Sequence, residues 1–105
     1  MAETIDVCTI DELPPGTRRI VAWEDIELMV VNCGGELLAM EDRCSHDNGP
    51  LAEGELDEGK CTVECPRHGS LFDLRTGNPL TLPAYVPVET FPVRVEGDIV
   101  RLEVE

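Results

Sequence analysis

The chain has 105 residues, with 22 acidic against 8 Lys and Arg side chains and a formal net charge of -14. A single domain of this length buries about two thirds of the surface its unfolded chain exposes, and so negative a field excludes nucleic acid as a partner. The N-terminus is acidic rather than signal-like, no apolar run approaches the ~18 residues of a membrane-spanning helix, and five cysteines fit a secreted disulfide framework poorly, so the expected compartment is a reducing cytoplasm.

Taken in order, the chain reads as strands. Ile5 and Val7 alternate with polar neighbours over Thr4 to Cys8, and Ile10 to Leu13 makes one helical turn that Pro14-Pro15-Gly16 ends. Arg18 to Trp23 and Ile26 to Asn32 are Ile- and Val-rich strands joined at Glu24-Asp25. Gly34-Gly35 marks a hairpin whose return strand, Glu36 to Glu41, runs on to Cys44. Residues 42–83 are heavy in Gly, Pro and charge, with an acidic run of Glu53, Glu55, Asp57 and Glu58 ending at a Gly59-Lys60 turn. Short strands are expected over Lys60 to Glu64 and Ser70 to Leu74. Phe91, Val93 and Val95, then Val100, Leu102 and Val104, form a hairpin about Gly97-Asp98, with Pro92 at an edge because it has no N–H for a ladder. No segment has helical period and useful length, so the fold is all-β: a small antiparallel barrel or sandwich from residues 1–41 and 84–105, with residues 42–83 inserted at one end. Trp23, Met29 and Met40 are expected to pack in or near the core. Cys8, Cys33 and Cys61 sit singly in apolar stretches and read as small buried side chains.

The insertion holds the chemistry. Cys44-Ser45-His46 and Cys65-Pro66-Arg67-His68 contain two cysteines and both histidines of the chain, and Gly49-Pro50 and Gly69-Ser70 follow them at positions where a loop can reverse. Thiolate and neutral imidazole select a borderline or soft transition metal over a hard cation. Structural zinc usually begins Cys-x2-4-Cys, whereas here each loop gives one sulfur and one nitrogen, a donor set that suits a two-iron cluster with unlike ends.

At Cys44-x-His46, eighteen residues, then Cys65-x-x-His68-Gly69-Ser70, the chain resembles the Rieske proteins. The resemblance implies the Rieske fold and one [2Fe-2S] cluster per chain, with Cys44 and Cys65 on the inner iron and His46 and His68 on the outer one. It also implies that Ser70 and Phe72 tune the cluster, Ser70 through a hydroxyl directed at a bridging sulfide and Phe72 by standing where high-potential members have a tyrosine. Pro83 is placed in the proline-containing loop that shields the cluster. Respiratory-complex members carry one more cysteine in each loop, joined as a disulfide; Gly49 and Arg67 stand at those positions, so the likeness is to the Rieske-type ferredoxins that lack this brace.

Both histidines are taken as ligands, which leaves none for the mononuclear iron of a catalytic oxygenase subunit. The resemblance therefore implies a non-catalytic electron carrier that takes electrons from an NAD(P)H-dependent flavin reductase and passes them to a terminal oxygenase by transient electrostatic docking, with no membrane, nucleic acid or small-molecule substrate involved. Two rivals are a small Rieske-like subunit held in a nitrite reductase or another redox complex, and a zinc-stabilised interaction module.

Overall fold

The structure, a computed structural model, describes residues 3–44, 49–67 and 69–104. Ten strands follow in chain order: β1 (Thr4–Thr9), β2 (Arg18–Trp23), β3 (Ile26–Cys33), β4 (Glu36–Glu41), β5 (Leu56–Asp57), β6 (Thr62–Glu64), β7 (Leu71–Asp73), β8 (Thr90–Phe91), β9 (Val93–Glu96) and β10 (Ile99–Glu103). Two single 3-10 turns, Ile10–Glu12 and Leu51–Glu53, are the helical content of the described residues. The strands make three antiparallel sheets, β1-β10-β9, β2-β3-β4-β8 and β5-β6-β7. The all-β reading holds, but none of the three sheets closes into a barrel.

The four-stranded sheet is the middle layer, and β3 shows why. Leu28 to Cys33 are buried without interruption, the pattern of a strand covered on both faces. Successive side chains alternate between faces. Leu28 and Val30 therefore join one core with Ala39, Phe91, Val100, Leu102 and Val104. Met29, Val31 and Cys33 join the other, with Met40, Leu51, Val63, Phe72 and Leu74. The first core lies against β10 and the second against the 42–83 segment. Met29 and Met40 are fully buried there, as expected, and pair across the β3–β4 ladder.

Three details differ from the sequence reading. The stretch about Pro92 divides in two: β8 pairs with β4, while β9 pairs with β10. Lacking an N–H, Pro92 is the joint where the chain changes sheets, and its carbonyl accepts from Glu103 N–H at 2.9 Å. A two-residue strand, β5, and the Leu51–Glu53 turn add structure within the acidic stretch. Cys33 and Cys61 are not separate thiols but a disulfide spanning 28 residues. Their burial was expected, and each is only 3% exposed; their bonding joins the end of β3 to the residue just before β6. Cys8 remains a thiol. By chain entropy a bridge of this span contributes about 3 to 4 kcal/mol. On the surface, Arg75 donates to the Glu36 carboxylate at 2.8 Å and 3.1 Å, which raises the arginine pKa and ties the same two layers more weakly.

Gly77 seats the chain that returns from the insertion. Its φ is +78, its carbonyl accepts from Val88 N–H at 2.8 Å, and a Cβ there would run into the Val88 carbonyl. Gly77→Ala is expected to lower the unfolding free energy by about 2 to 3 kcal/mol. Urea denaturation reads this directly, and an unchanged midpoint would mean that Val88 is not held at this turn.

Candidate metal centre

Two strands deliver two loops of one design. β4 ends at Glu41, and Asp42 and Arg43 lead to Cys44, whose N–H donates to the Gly49 carbonyl at 2.7 Å. β6 ends at Glu64, and the next N–H, that of Cys65, donates to the Ser70 carbonyl at 2.8 Å. In both, a cysteine N–H reaches a carbonyl five residues on, which fixes the cysteine backbone in place. The second loop is tightened by Gly69, which donates to the Cys65 carbonyl at 2.9 Å from a φ of 76 that suits a residue without Cβ.

Cys44 and Cys65 are fully buried, neither is disulfide-bonded, and they belong to one core with Leu51, Val63, Phe72 and Ala84. Two buried sulfur donors in an apolar shell fit a soft-metal or iron-sulfur centre, because such a shell limits solvent access and so tunes the metal. His46 and His68 lie outside the described residues, so the described half of the proposed ligand set is its pair of cysteines. Among the described residues no group of three or more His, Cys, Asp or Glu side chains converges as a metal site.

Ser70, whose carbonyl holds the Cys65 N–H, is fully buried, and its Oγ accepts from Ala84 N–H at 3.1 Å. A hydroxyl that accepts in this way keeps its own O–H to donate. Phe72 is fully buried on β7 opposite Val63 and brings no hydroxyl to the site. Leu80 N–H donates to the Leu71 carbonyl at 2.6 Å, and Leu71 N–H donates to Thr81 Oγ1 at 2.9 Å. With the Ala84 bond, these fasten the segment carrying Pro83 against the second loop. That segment turns Leu80, Leu82, Tyr85 and Val86 outward, with Leu82 79% and Tyr85 76% exposed, and residues 76–88 carry no charged side chain. Glu53, Glu55, Asp57 and Glu58 are all exposed, but Asp57 is spent locally, since its Oδ1 accepts from Gly59 and Lys60 N–H.

Two supports of the site went unread in the sequence. The Asp42 carboxylate accepts from Ala52 N–H at 2.7 Å, bridging the ends of the first loop, and Leu51 inserts beneath it, fully buried. An Asp two residues before a candidate ligand was the available cue.

Residues 3–92 match the family described as Rieske [2Fe-2S] domain. The chain is 46% identical over 94 residues to the 3-phenylpropionate/cinnamic acid dioxygenase ferredoxin subunit of Photorhabdus laumondii, covering 89% of this chain and 88% of that one. Among solved structures it is similar to the ferredoxin of carbazole 1,9a-dioxygenase from Nocardioides aromaticivorans, with a TM-score of 0.91, 33% identity and coverage of 97% and 98%. It is also similar to a chain in the complex of reduced oxygenase and oxidized ferredoxin in carbazole 1,9a-dioxygenase, with a TM-score of 0.89, 37% identity and coverage of 95% and 92%.

Ser70→Ala leaves the buried Ala84 N–H without its acceptor and is expected to cost about 1 to 2 kcal/mol of stability. Comparing denaturation midpoints of the two proteins checks this. Equal midpoints would show that the Pro83 segment is held by its other bonds alone.

Proposed function

Because the chain belongs to the Rieske [2Fe-2S] domain family, we propose that it is the ferredoxin component of a multicomponent oxygenase, a one-electron carrier rather than a catalyst. The observation that carries this reading is the pair of matched loops, each closed by a cysteine N–H, that hold Cys44 and Cys65 together in one apolar core. The extent of similarity to dioxygenase ferredoxin subunits, nearly end to end in both chains, supports it.

Cys44 and Cys65 would hold one iron of a single [2Fe-2S] cluster, and His46 and His68 the other. When bound, that group supplies a one-electron couple and no open position for a substrate. The chain's own residues do the rest. The apolar core excludes water from the sulfur donors, Ser70 presents an O–H beside them, and Phe72 fills space without a second hydroxyl. Residues 42–83 form the cluster-binding insertion, and 1–41 with 84–105 form the base of a single domain. Electrons arrive from an NAD(P)H-dependent flavin reductase and leave for a terminal oxygenase. Both partners dock transiently, drawn by the field of a chain with charge -14, an attraction that weakens as salt rises. The location is cytoplasmic, a reducing compartment in which the Cys33–Cys61 bridge meets thiols.

Electron paramagnetic resonance of the anaerobically purified protein after dithionite reduction tests the ligand set. A Rieske signal is expected, with average g below that of an all-cysteine cluster. A silent spectrum with stoichiometric zinc would overturn the reading. The potential is expected in the lower half of the Rieske range, which runs from about −150 to +300 mV. A hydrogen bond to a charged group contributes roughly 1.5 to 3 kcal/mol, which is at most about 60 to 130 mV for one electron. Ser70→Ala should lower the potential by up to that amount and Phe72→Tyr should raise it; redox titrations showing neither shift would remove both residues from the tuning account.

A further inference from the structure

The disulfide between Cys33 and Cys61 sits where it can act on the metal loops. Cys33 is the last residue of β3, and Cys61 immediately precedes β6, the three-residue strand that delivers Cys65. Both half-cystines share one buried core with Cys44 and Cys65. The Leu74 N–H donates to the Cys61 carbonyl at 2.9 Å, so the strand that leaves the second loop is anchored at the same residue.

Cys61 is also strained. Its φ is 54, a left-handed conformation that costs a residue with a Cβ and persists only where the surroundings enforce it. The bridge is a covalent part of that enforcement. An acceptor for the opened state is already in place: the Glu58 carbonyl oxygen lies 3.3 Å from the Cys33 sulfur and 3.7 Å from the Cys61 sulfur. A disulfide has no proton to give that oxygen, whereas either thiol does. Either freed thiol therefore has a carbonyl acceptor within reach.

We propose that Cys33–Cys61 is a thiol-responsive latch on the metal loops. This rests on the cluster reading above and adds its regulation. Closed, the bridge holds β6 against the end of β3 and keeps the second loop in register. Opening follows thiol–disulfide exchange with a dithiol: one thiolate of the reductant attacks a sulfur, the S–S bond breaks, and the second thiol resolves the mixed disulfide. Two electrons and two protons end on Cys33 and Cys61, and the reductant leaves as its own cyclic disulfide. Cys61 then relaxes from its left-handed conformation, β6 loosens, and the loops release iron more readily. Access is from the exposed Gly34-Gly35 turn that follows Cys33. With each half-cystine 3% exposed, opening is slow compared with a surface disulfide.

The test uses the holoprotein purified in air, before and after dithiothreitol, with the Cys33→Ser/Cys61→Ser and Cys33→Ser/Cys61→Gly variants. Alkylation in denaturant, read by mass, should label three of the five cysteines before reduction and all five after. Loss of visible absorbance to a ferrous-iron chelator should be at least about fivefold faster once the bridge is open, and the melting temperature should fall by about 10 to 20 °C. The double serine variant should lose iron at the fast rate with or without dithiothreitol, and glycine at position 61 should recover part of the loss because it takes a positive φ without strain. Five labelled cysteines in the air-purified protein, equal release rates with the bridge closed and open, or a serine variant that still responds to dithiothreitol would each overturn the proposal. A protein purified without a chromophore would instead overturn the cluster reading, and the latch would then stand or fall on the melting temperature, which needs no iron.

Discussion

Strand β3 is buried on both faces over six consecutive residues, and the rest of the molecule is arranged to satisfy it. A strand with one solvated face can be covered by one layer, but β3 requires two. The terminal hairpin supplies one layer through Val100 and Leu102, and the metal-loop segment supplies the other through Val63, Phe72 and Leu74. The loops therefore stand on the same backbone that organises the base. Because side chains alternate, Leu28 and Val30 act on the base core, while Met29 and Val31, one residue away, act on the core that holds Cys44 and Cys65.

Two unlike surfaces flank the second loop. The Leu80–Val86 side presents apolar side chains and no charge, whereas the Glu53–Glu58 side is acidic. They act over different distances. A charge field acts over about 8 Å at physiological salt and steers approach, while apolar area is felt only on contact. Long-range attraction and a small apolar contact area thus lie side by side at the second loop.

Much of this was legible in the sequence because the signals are local. The Ile- and Val-rich runs gave β2 its observed ends and β3 all but its last residue, Gly34-Gly35 placed the hairpin and its return strand β4, and Cys-x-His with Cys-x-x-His marked the two loops. What escaped depends on neighbours distant in sequence. A two-residue strand such as β5 has no period to detect. The change of sheet at Pro92 depends on where β4 lies, since Phe91 and Val93 continue one alternating pattern although their strands belong to different sheets. The pairing of Cys33 with Cys61 follows from the layer order, which no single window of sequence contains. Apolar surroundings correctly implied burial for both cysteines and were silent on what lay against them.

The position of that bridge bears on how the two loops keep their geometry. By resemblance, the respiratory Rieske proteins join the loops directly, at positions held here by Gly49 and Arg67. In this chain the connection runs through the base. Cys44 follows β4; β4 is laddered to β3 over six residue pairs; β3 ends at Cys33; Cys33 is bonded to Cys61; and Cys61 leads through β6 to Cys65. The circuit starts at one metal-loop cysteine and ends at the other, with every link a covalent bond or a strand ladder. Its single side-chain link is the disulfide. Without it, β6 is held to the middle layer by packing and by surface pairs such as Arg75 with Glu36, which water and salt screen. A direct brace fixes the loops to each other wherever they sit. A brace through the base fixes each loop to the scaffold, so that the spacing of Cys44 and Cys65 becomes a property of the middle sheet.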